Sequence, residues 1–347
     1  MKIMLNPTKI CYIQDNKSLR IGNFPETGKV LDCGDEKIFN FFKQIVNVTD
    51  YKIAVDLLVK CCKVNIEDAE QTVNYLLKEK ILVSEDEYNS LTINDRYNRQ
   101  NLYFFMLSNK DLTKKFNTVK HKNILILGVG GVGSVVAEYL TRAGFENLTL
   151  LDCDVVEKSN LVRQIAYFDA DVGLNKLICI ENHLKSINPN IKISTCYKKV
   201  LQENDVDNLI LKSDFVVNTL DKPIRKIRRL INEVCVKNKK PVLFAGFAEH
   251  VGMVGPFVVP NRTACLNCID NSITADEGLD NIKLAPSYGP LCGVIGAMVS
   301  DEVINYFLRF KKKNLVGKTL MINLYNYKTT IMKWKRQENC KVCGGGK

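Results

Sequence analysis

Four glycines within six residues are the first feature of this chain that indicates chemistry. Gly128, Gly130, Gly131 and Gly133 follow a run of leucine and β-branched residues and precede a helical pattern, all within residues 123–144. Glycines allow a tight turn and let backbone N–H groups approach phosphate oxygens, and the following helix directs its positive end at the same place. The stretch predicts a phosphate-binding turn, for either a nicotinamide dinucleotide or ATP.

A carboxylate follows the next predicted strand. Asp152 ends the run NLTLLD, where its oxygens can accept hydrogen bonds from ribose hydroxyls. On the glycines and this carboxylate alone, a nicotinamide enzyme is the favoured interpretation.

The segment that begins at Asp152 favours ATP instead. Its 25 residues contain six polar candidates: Asp152, Asp154, Asn160, Arg163, Gln164 and Lys176. A dinucleotide does not require two cations directly after its ribose carboxylate, whereas a triphosphate does. We therefore expect Arg163 and Lys176 to bind the β- and γ-phosphates and to stabilise charge where pyrophosphate leaves. The alternative, surface cations on a strand–helix crossover, explains either residue singly.

A second carboxylate ends the run FVVNTLD. Asp221 follows the fourth predicted strand, and α/β sheets place ligands at the carboxyl ends of their strands. A lone aspartate at this position is usually a helix cap. Beside a triphosphate it becomes a candidate ligand for Mg²⁺.

Two C-x-x-C pairs predict a zinc site. Cys265 and Cys268 form the first pair, and Cys340 and Cys343 form the second. Four thiolates are the number that tetrahedral zinc binds, and such a closed site is structural because it has no free position for catalysis. Unrelated loops or a redox dithiol are the alternatives, but a redox pair does not require a second copy.

Strands and helices alternate after residue 120, which predicts βαβ units and a mostly parallel sheet. The predicted strands are 123–127, 147–151, 191–197, 214–218, 241–246, 252–260, 318–324 and 328–335. The predicted helices are 132–143, 173–187, 203–211, 223–237 and 291–310. The fold class that follows is α/β, with a Rossmann-like, doubly wound sheet.

Residues 1–90 are predicted to form a separate domain, with the second domain at 91–347. Three short strands (8–13, 18–23 and 28–33) precede three helical patterns (36–46, 50–62 and 66–82), which suggests a small winged-helix-like unit. It serves either as a structural appendage or as a clamp for a peptide or nucleic acid. Residues 93–120 are predicted to be a polar, partly helical linker.

Composition narrows the classes of protein. The 347 residues carry a formal charge of +11, and the basic clusters are best explained as solvated helix faces, so nucleic acid is an unlikely partner. We find no run of about 18 apolar residues, so no membrane span is expected. The amino terminus lacks the apolar core of a signal peptide, which predicts a cytoplasmic location. The 13 cysteines then indicate thiols and a metal site rather than disulfides.

An ordered set of motifs resembles one family. RYNRQ (96–100), GVGGVGS (128–134), LDCDVVEKSNLVRQ (151–164), GLNK (173–176), NTLD (218–221) and the paired C-x-x-C motifs are similar to those of the ThiF/MoeB/ubiquitin-activating superfamily of adenylating enzymes. The resemblance covers roughly residues 93–345.

The resemblance implies a role for each matching residue. Asp152, Asn160 and Gln164 would line the nucleotide, Arg163 and Lys176 would bind the phosphates, and Asp221 would hold Mg²⁺. Arg99 would reach ATP from the neighbouring subunit of a homodimer. The four cysteines would bind zinc. The expected cofactors are therefore ATP, Mg²⁺ and Zn²⁺.

The amino-terminal domain suggests a branch of the superfamily. Activators of sulfur-carrier proteins usually begin near the RYNRQ segment, whereas the microcin C peptide-adenylating branch carries an added peptide-clamp domain before it. This layout implies a short ribosomally made precursor peptide as substrate. An activator of a ubiquitin-like sulfur carrier, in thiamin or molybdopterin synthesis, is the alternative.

One departure from the ubiquitin pathway concerns residues 269–290. Transferring enzymes place a catalytic cysteine there, and this chain has none in that stretch. Cys292 lies in what we expect to be the start of a buried helix. We therefore expect no obligatory thioester, and the loop itself is a candidate lid over a bound peptide.

Overall fold

The computed structural model describes residues 1–9, 11–14, 18–22, 28–32, 36–92, 96–220, 222–270, 286–311 and 313–344. The chain divides into two compact units, Met1–Phe116 and Asn117–Lys347.

The first unit contains two small antiparallel sheets and a group of helices. Its strands are β1 (Lys2–Leu5), β2 (Cys11–Gln14), β3 (Ser18–Ile21), β4 (Lys29–Asp32), β5 (Thr49–Asp50) and β6 (Leu82–Ser84). The sheets have the orders β5-β1-β6 and β2-β3-β4. The helices are α1 (Glu36–Gln44), α2 (Tyr51–Cys62), α3 (Ile66–Lys78), α4 (Glu85–Thr92), α5 (Asn98–Ser108) and α6 (Thr113–Val119), the last of which runs into the second unit.

The three helices predicted before residue 83 are present, and local signals explain most of their ends. The Asp50 and Asn65 side chains accept hydrogen bonds from the first turns of α2 and α3. The predicted end of the third helix at residue 82 is wrong. Helix α3 ends at Lys78, and Lys80 takes a left-handed conformation with φ 56°, so the chain leaves the helix before Leu82 enters β6.

The first unit has more strands than its sequence predicted. The predicted strands correspond to β2, β3 and β4, but β1, β5 and β6 form a second sheet that was missed. These three strands have only two to four residues each. Ile3 lies opposite Thr49 and Ser84, so pairing over long sequence distances, rather than a local pattern, determines this sheet.

The expected linker at 93–120 is more ordered than its polar composition suggested. It contains helices α5 and α6. Phe104, Phe105 and Phe116 are buried. Burial of three aromatic side chains makes most of this segment part of the packed structure.

The second unit is built on one eight-stranded sheet. Its strands are β7 (Asn123–Leu127), β8 (Asn147–Asp152), β9 (Lys192–Tyr197), β10 (Phe215–Asn218), β11 (Val242–Ala248), β12 (Val251–Val258), β13 (Lys318–Asn323) and β14 (Lys328–Lys333). The order is β14-β13-β12-β11-β10-β7-β8-β9. Strands β9, β8, β7, β10 and β11 are mutually parallel, and β12, β13 and β14 add to them antiparallel.

Helices cover both faces of this sheet. They are α7 (Gly131–Ala143), α8 (Lys176–Ile187), α9 (Asp207–Lys212), α10 (Ile224–Lys237), α11 (Leu266–Asp270) and α12 (Gly289–Leu308). Leu125 and Leu127 of β7 pack in one cluster with side chains of α9 and α10. Ile124 and Ile126 point to the opposite face and are fully buried, while α7 packs against α8 and α12.

The strand order confirms the predicted fold class. The order β9-β8-β7-β10-β11 is that of the Rossmann fold, in which the order of the strands reverses beside the first strand and ligands bind at that point. Here the point lies between β7 and β10, at the carboxyl ends of both strands. The sheet therefore directs ligands to the loop that contains the four glycines.

One of the described helices bears on the expectation that the chain has no membrane span. Helix α12 is long and apolar enough to cross a membrane, by length and composition. Just over half of it is buried, and it packs against α7, β11 and β12. Its apolar character is explained by packing on the sheet, as in the core helix of a globular domain.

Candidate active site

The glycine loop begins at a position whose backbone conformation only glycine adopts without strain. Gly128 directly follows β7 and has a φ of +87°. A Cβ there would lie 3.0 Å from Oγ1 of Thr219. That hydroxyl donates hydrogen bonds to the carbonyls of Leu127 and Gly128, at 3.0 and 2.8 Å, and so joins the end of β7 to the end of β10.

The space around the backbone differs at the other three glycines. A Cβ at Gly133 would lie 1.9 Å from the carbonyl oxygen of Gly128, so α7 packs directly on the loop. A Cβ at Gly131 would lie 2.9 Å from the sulfur of Cys292. A Cβ at Gly130 would meet only Nε2 of Gln164, at 3.8 Å, so nothing in the described chain requires glycine at that position. The space beside Gly130 is free for a ligand.

Helix α7 begins at this loop with unpaired donors. Gly130 is its N-cap and, having no side chain, it provides no capping bond. Among the described residues, none accepts a hydrogen bond from the backbone N–H groups of residues 130–133. Orphan N–H groups together with the positive end of a helix form an anion site. The predicted phosphate-binding turn therefore has the geometry for that role.

Asp152 lies where the ribose carboxylate was predicted, but its oxygens also hold the loop together. The side chain is buried at the end of β8. One oxygen accepts the N–H of Val129 at 2.8 Å, and the other accepts those of Cys153 and Asp154 at 2.8 and 2.9 Å. Three of its roughly four acceptor positions are used within the chain. One position remains for a ligand.

Lys176 and Asp154 form an ion pair, with Nζ and a carboxylate oxygen 2.9 Å apart. Lys176 begins α8 and only 6% of its side chain is exposed, whereas 62% of the Asp154 side chain is exposed. Asn175 caps this helix with its side chain, which explains why α8 begins three residues later than predicted. A buried ammonium held by an exposed carboxylate is able to exchange that partner for a phosphate.

Asn160, Arg163 and Gln164 lie on one turn. The N–H groups of Arg163 and Gln164 both donate to the carbonyl of Asn160. The guanidinium of the half-buried Arg163 donates to the carbonyl of Ser159 at 2.8 Å. Gln164 is buried beside Gly130, and its Oε1 has no hydrogen-bond partner among the described residues. A buried amide oxygen without a partner indicates a missing donor from water or ligand.

The start of α12 packs on the same turn. A Cβ at Gly289 would lie 2.6 Å from the carbonyl oxygen of Val162. Cys292 is buried as expected, with its sulfur against Gly131. Burial raises the pKa of the Cys292 thiol, and the nearby Arg163 only partly opposes this. A protonated, buried thiol is a poor nucleophile, which agrees with the expectation of no thioester.

Two residues predicted for this site are not among those that the described structure places there. Arg99 lies exposed on α5, in the first unit. Asp221 lies outside the described residues, as does the central part of the expected lid, residues 271–285.

Sequence reasoning missed two residues that build the loop. Thr219 lies within the NTLD motif, yet only its contacts identify it as the link between β7 and β10. Tyr167 is buried, and its hydroxyl donates to the carbonyl of Val129 at 2.8 Å. It lies three residues after Gln164, and no spacing rule singles it out.

The four predicted cysteines lie together. Their sulfurs are within 4.8 Å of one another, with separations of 3.9 Å for Cys265–Cys268, 3.6 Å for Cys265–Cys340 and 3.5 Å for Cys268–Cys343. Tetrahedral thiolates around zinc at about 2.3 Å lie about 3.8 Å apart. The donor set and its spacing fit zinc.

The surrounding chain lowers the pKa of one thiol in this cluster, whereas burial raises the pKa of the Cys265 and Cys268 thiols. Burial raises the pKa of the Cys340 thiol, but the backbone N–H groups of Cys343 and Val342 outweigh it and lower the pKa to about 7. Asn232 of α10 is fully buried and fixes the segment that carries Cys265 and Cys268, because its Oδ1 accepts the N–H of Leu266 at 2.9 Å. Both segments are thus fixed by hydrogen bonds, as metal ligands usually are.

Comparison with known sequences gives the family. The sequence profile described as "ThiF family" matches residues 97–342. The molybdopterin-synthase adenylyltransferase of Escherichia coli K12 is 32% identical over 254 residues, which are 72% of this chain and 96% of that protein.

Comparison with solved structures extends over nearly the whole chain. The E. coli protein MccB, solved with ATP, has a TM-score of 0.84 at 24% identity and covers 99% of this chain and 100% of its own. A structure of the microcin C7 biosynthetic enzyme MccB in complex with N-formylated MccA has a TM-score of 0.85 at 22% identity, with the same coverage.

The matched range includes the glycine loop, the Asn160–Gln164 turn, Lys176 and three of the four cysteines, and it ends one residue before Cys343. The family match therefore coincides with the residues whose geometry fits a triphosphate and a structural metal. The chain belongs to the ThiF family and is an ATP-dependent adenylyltransferase.

Proposed function

We propose that this enzyme adenylates a carboxylate of a short ribosomally made precursor peptide, in the biosynthesis of a modified peptide of the microcin C kind. The observation that carries the proposal is the first unit. Residues 1–96 lie outside the family profile, and the molybdopterin-synthase relative spans only 72% of this chain. The likeness to MccB covers 99% of it.

In the proposed reaction, a carboxylate oxygen of the peptide attacks the α-phosphorus of ATP. A bond forms between that oxygen and the α-phosphorus, the bond to the bridging oxygen of the β-phosphate breaks, and pyrophosphate leaves with its electron pair. The product is an acyl adenylate. No protein nucleophile is required, so the enzyme contributes positioning and charge stabilisation.

The described residues supply those contributions. The N–H groups at the start of α7 bind phosphate oxygens, and Asp152 uses its remaining acceptor position for a ribose hydroxyl. Lys176 leaves Asp154 to bind the departing phosphates, and Arg163 leaves the Ser159 carbonyl to do the same. Gln164 satisfies its unpaired oxygen with a donor of the nucleotide or its water shell.

Two metals complete the proposal. Asp221 holds the Mg²⁺ that accompanies ATP, as expected from its position in the sequence, three residues after the last residue of β10. Cys265, Cys268, Cys340 and Cys343 hold one zinc ion that joins the chain terminus to the segment after β12. Zinc in a closed four-thiolate site stabilises the fold and takes no part in the reaction.

The active enzyme is proposed to be a homodimer in which Arg99 of one subunit serves ATP on the other. Seven exposed apolar side chains within 24 residues support an interface: Val155, Val162, Ile165, Phe168, Val172, Leu174 and Ile178. Apolar side chains exposed at this density mark interaction surfaces. Ile165→Asp should give a monomer by light scattering, whereas the control Leu211→Asp, at an equally exposed position on α9, should not.

A mixing experiment tests whether each active site is shared between two subunits. Arg99→Ala and Asp221→Ala subunits should each be inactive, and mixing them should restore part of the activity because some hybrid sites carry both residues. Absence of recovery after confirmed subunit exchange would contradict the sharing.

Activation of a ubiquitin-like sulfur carrier remains the second candidate, because the molybdopterin-synthase relative carries the name of such an activator. ATP–pyrophosphate exchange distinguishes the two. The peptide proposal predicts that a short peptide gene lies beside this one, that its product supports exchange, and that a carrier protein ending in Gly-Gly does not. Exchange with the carrier alone would overturn the proposal.

The first unit is proposed to bind the peptide at a strand edge. Strands β2 and β4 are the outer strands of one of its sheets, and an extended peptide can add to such an edge. A chain beginning at residue 97 should keep zinc and ATP binding, while its KM for the peptide rises far more than kcat falls. A folded truncated enzyme with unchanged KM would assign the unit a structural role.

A further inference from the structure

The glycine loop must hold its N–H groups in one direction in order to bind phosphate. The N–H of Gly130 is the first of its four unpaired donors, and its direction depends on the peptide plane between Val129 and Gly130. A loop that rotates this plane would lose the donor. What fixes the plane is therefore part of the site.

Val129 is held on both sides by buried side chains. Its N–H donates to Oδ2 of Asp152 at 2.8 Å, and its carbonyl accepts from the hydroxyl of Tyr167 at 2.8 Å. Val129 is fully buried, and Tyr167 is 4% exposed. Burial raises the pKa of Tyr167, and nearby Asp152 adds to the effect, so the hydroxyl stays protonated as a donor.

The geometry of the peptide bond transmits this contact. In a planar trans peptide the carbonyl of one residue and the N–H of the next point in opposite directions. With the Val129 carbonyl aimed at Tyr167, the N–H of Gly130 points away from that ring. Gly130 is also the glycine whose missing side chain leaves open space.

Tyr167 also contacts the Asn160–Gln164 turn, which carries the other residues predicted to bind the nucleotide. Its N–H donates to the carbonyl of Gln164 at 3.3 Å, and the N–H of Gln164 donates to the carbonyl of Asn160. The phenol thus links the glycine loop to the Asn160–Gln164 turn. A shift of either segment would move the donors relative to the cations.

We propose that Tyr167 is a positioning residue for ATP: its hydroxyl orients the Val129–Gly130 peptide so that the Gly130 N–H binds a phosphate. The proposal rests on the ATP site proposed above but not on the peptide substrate. Tyr167 itself touches no phosphate, so its effect should depend on the phosphates of the ligand and not on the adenosine.

The test uses the full-length chain with Tyr167→Phe, which removes only the hydroxyl. Dissociation constants are measured for ATP and for adenosine. The ratio of the two should change by about threefold to tenfold, because one net hydrogen bond organises the loop. A matched control is Thr141→Val, which removes another buried hydroxyl that donates to a carbonyl, that of Ala137 on α7. It should leave the ratio unchanged.

A ratio that changes by less than threefold, or an equal loss for ATP and adenosine, overturns the proposal. Amide hydrogen exchange, measured in the wild-type protein and in Tyr167→Phe, provides a second test. ATP should slow exchange at Gly130, and in Tyr167→Phe this protection should fall. If ATP protects none of residues 130–133, the ATP site itself is wrong; if it protects wild type and variant equally, only the role of Tyr167 is wrong.

Discussion

The cysteine cluster and the glycine loop differ in how far the chain completes them. The four cysteine sulfurs lie at tetrahedral spacing and surround a position with no room for a further ligand. At the glycine loop, by contrast, four N–H groups and the Oε1 of Gln164 lack partners among the described residues, and Gly130 leaves open space. One site is closed and the other is open.

This difference separates stability from function in physical terms. A closed donor set that needs only a metal adds its binding energy to folding. Unsatisfied donors at an open site slightly lower the stability of the free protein, and ligand binding recovers that free energy. Substitutions at the cysteine cluster should therefore change stability, whereas substitutions at the open site should change ligand binding and activity.

The largest expected effect is the loss of the cysteine cluster. Cys340→Ser should abolish the content of about one zinc per chain and lower the free energy of unfolding by more than about 4 kcal/mol. Metal analysis and urea denaturation measure both. Cys61→Ser is the control, since Cys61 lies at the partly exposed end of α2 in the other unit. A zinc-free Cys340→Ser protein as stable as wild type would contradict the assignment.

The second effect compares two glycines of one loop. Gly133→Ala places a Cβ 1.9 Å from a backbone oxygen and should destabilise the protein by about 3 kcal/mol or more. Gly130→Ala fits sterically and should fold normally. It fills the space beside the α7 donors, however, so it should weaken ATP binding at least about tenfold.

Thermal melting and ATP titration of both glycine variants check this contrast. If Gly130→Ala bound ATP as tightly as wild type, the open space would not be the phosphate site. If Gly133→Ala were fully stable, the close packing of α7 on the loop would be wrong.

The third effect concerns the ion pair at the open site. Lys176→Ala should lower kcat by about a hundredfold, because the ammonium stabilises charge that develops on the phosphates. Stability should change by less than about 1 kcal/mol, since Asp154 is mostly exposed.

Lys122→Ala is the matched control for Lys176. Lys122 pairs with Asp214 at 2.9 Å, at the amino ends of β7 and β10, on the side of the sheet away from the glycine loop. It should leave kcat unchanged. Equal loss of activity in both variants would show that Lys176 acts only through general surface charge.

The smallest effect is expected at Cys292. Its thiol is buried at the start of α12 against Gly131, and burial raises its pKa, so it is neither exposed nor ionised near neutral pH. Cys292→Ala should keep ATP–pyrophosphate exchange within about threefold of wild type, the loss being one of packing only. Trapping of a thioester on this residue in the wild type would reverse the conclusion.

The central sheet was largely predictable because each of its strands shows a local signal. Strand β7 has the predicted limits, and β8, β9, β10 and β11 agree within two residues at each end. Apolar runs that alternate with amphipathic helices determine a parallel sheet almost on their own. In the first unit the sheet of β1, β5 and β6 was missed, because its short strands pair over long sequence distances that no local pattern records.

The candidate site shows the same division. Residue types and spacing alone identified the four glycines, the cations and the paired cysteines, because phosphate and zinc each require a particular donor set. The roles of Tyr167 and Thr219 depend on contacts with residues far away in the sequence. The same is true of the packing that explains the individual glycines. Whether Asp152 holds a ribose, the loop or both could not be inferred from its position after a strand.

The sequence by itself determined the chemistry that this protein offers: a triphosphate turn, two cations after it and four thiolates. Only the tertiary structure decided which donors remain open and which are used within the chain. The reason is that hydrogen bonding and packing join residues such as Val129, Asp152 and Tyr167 across three separate segments. Local patterns record the identity of a donor, but its direction and its partner are fixed only when those segments pack together.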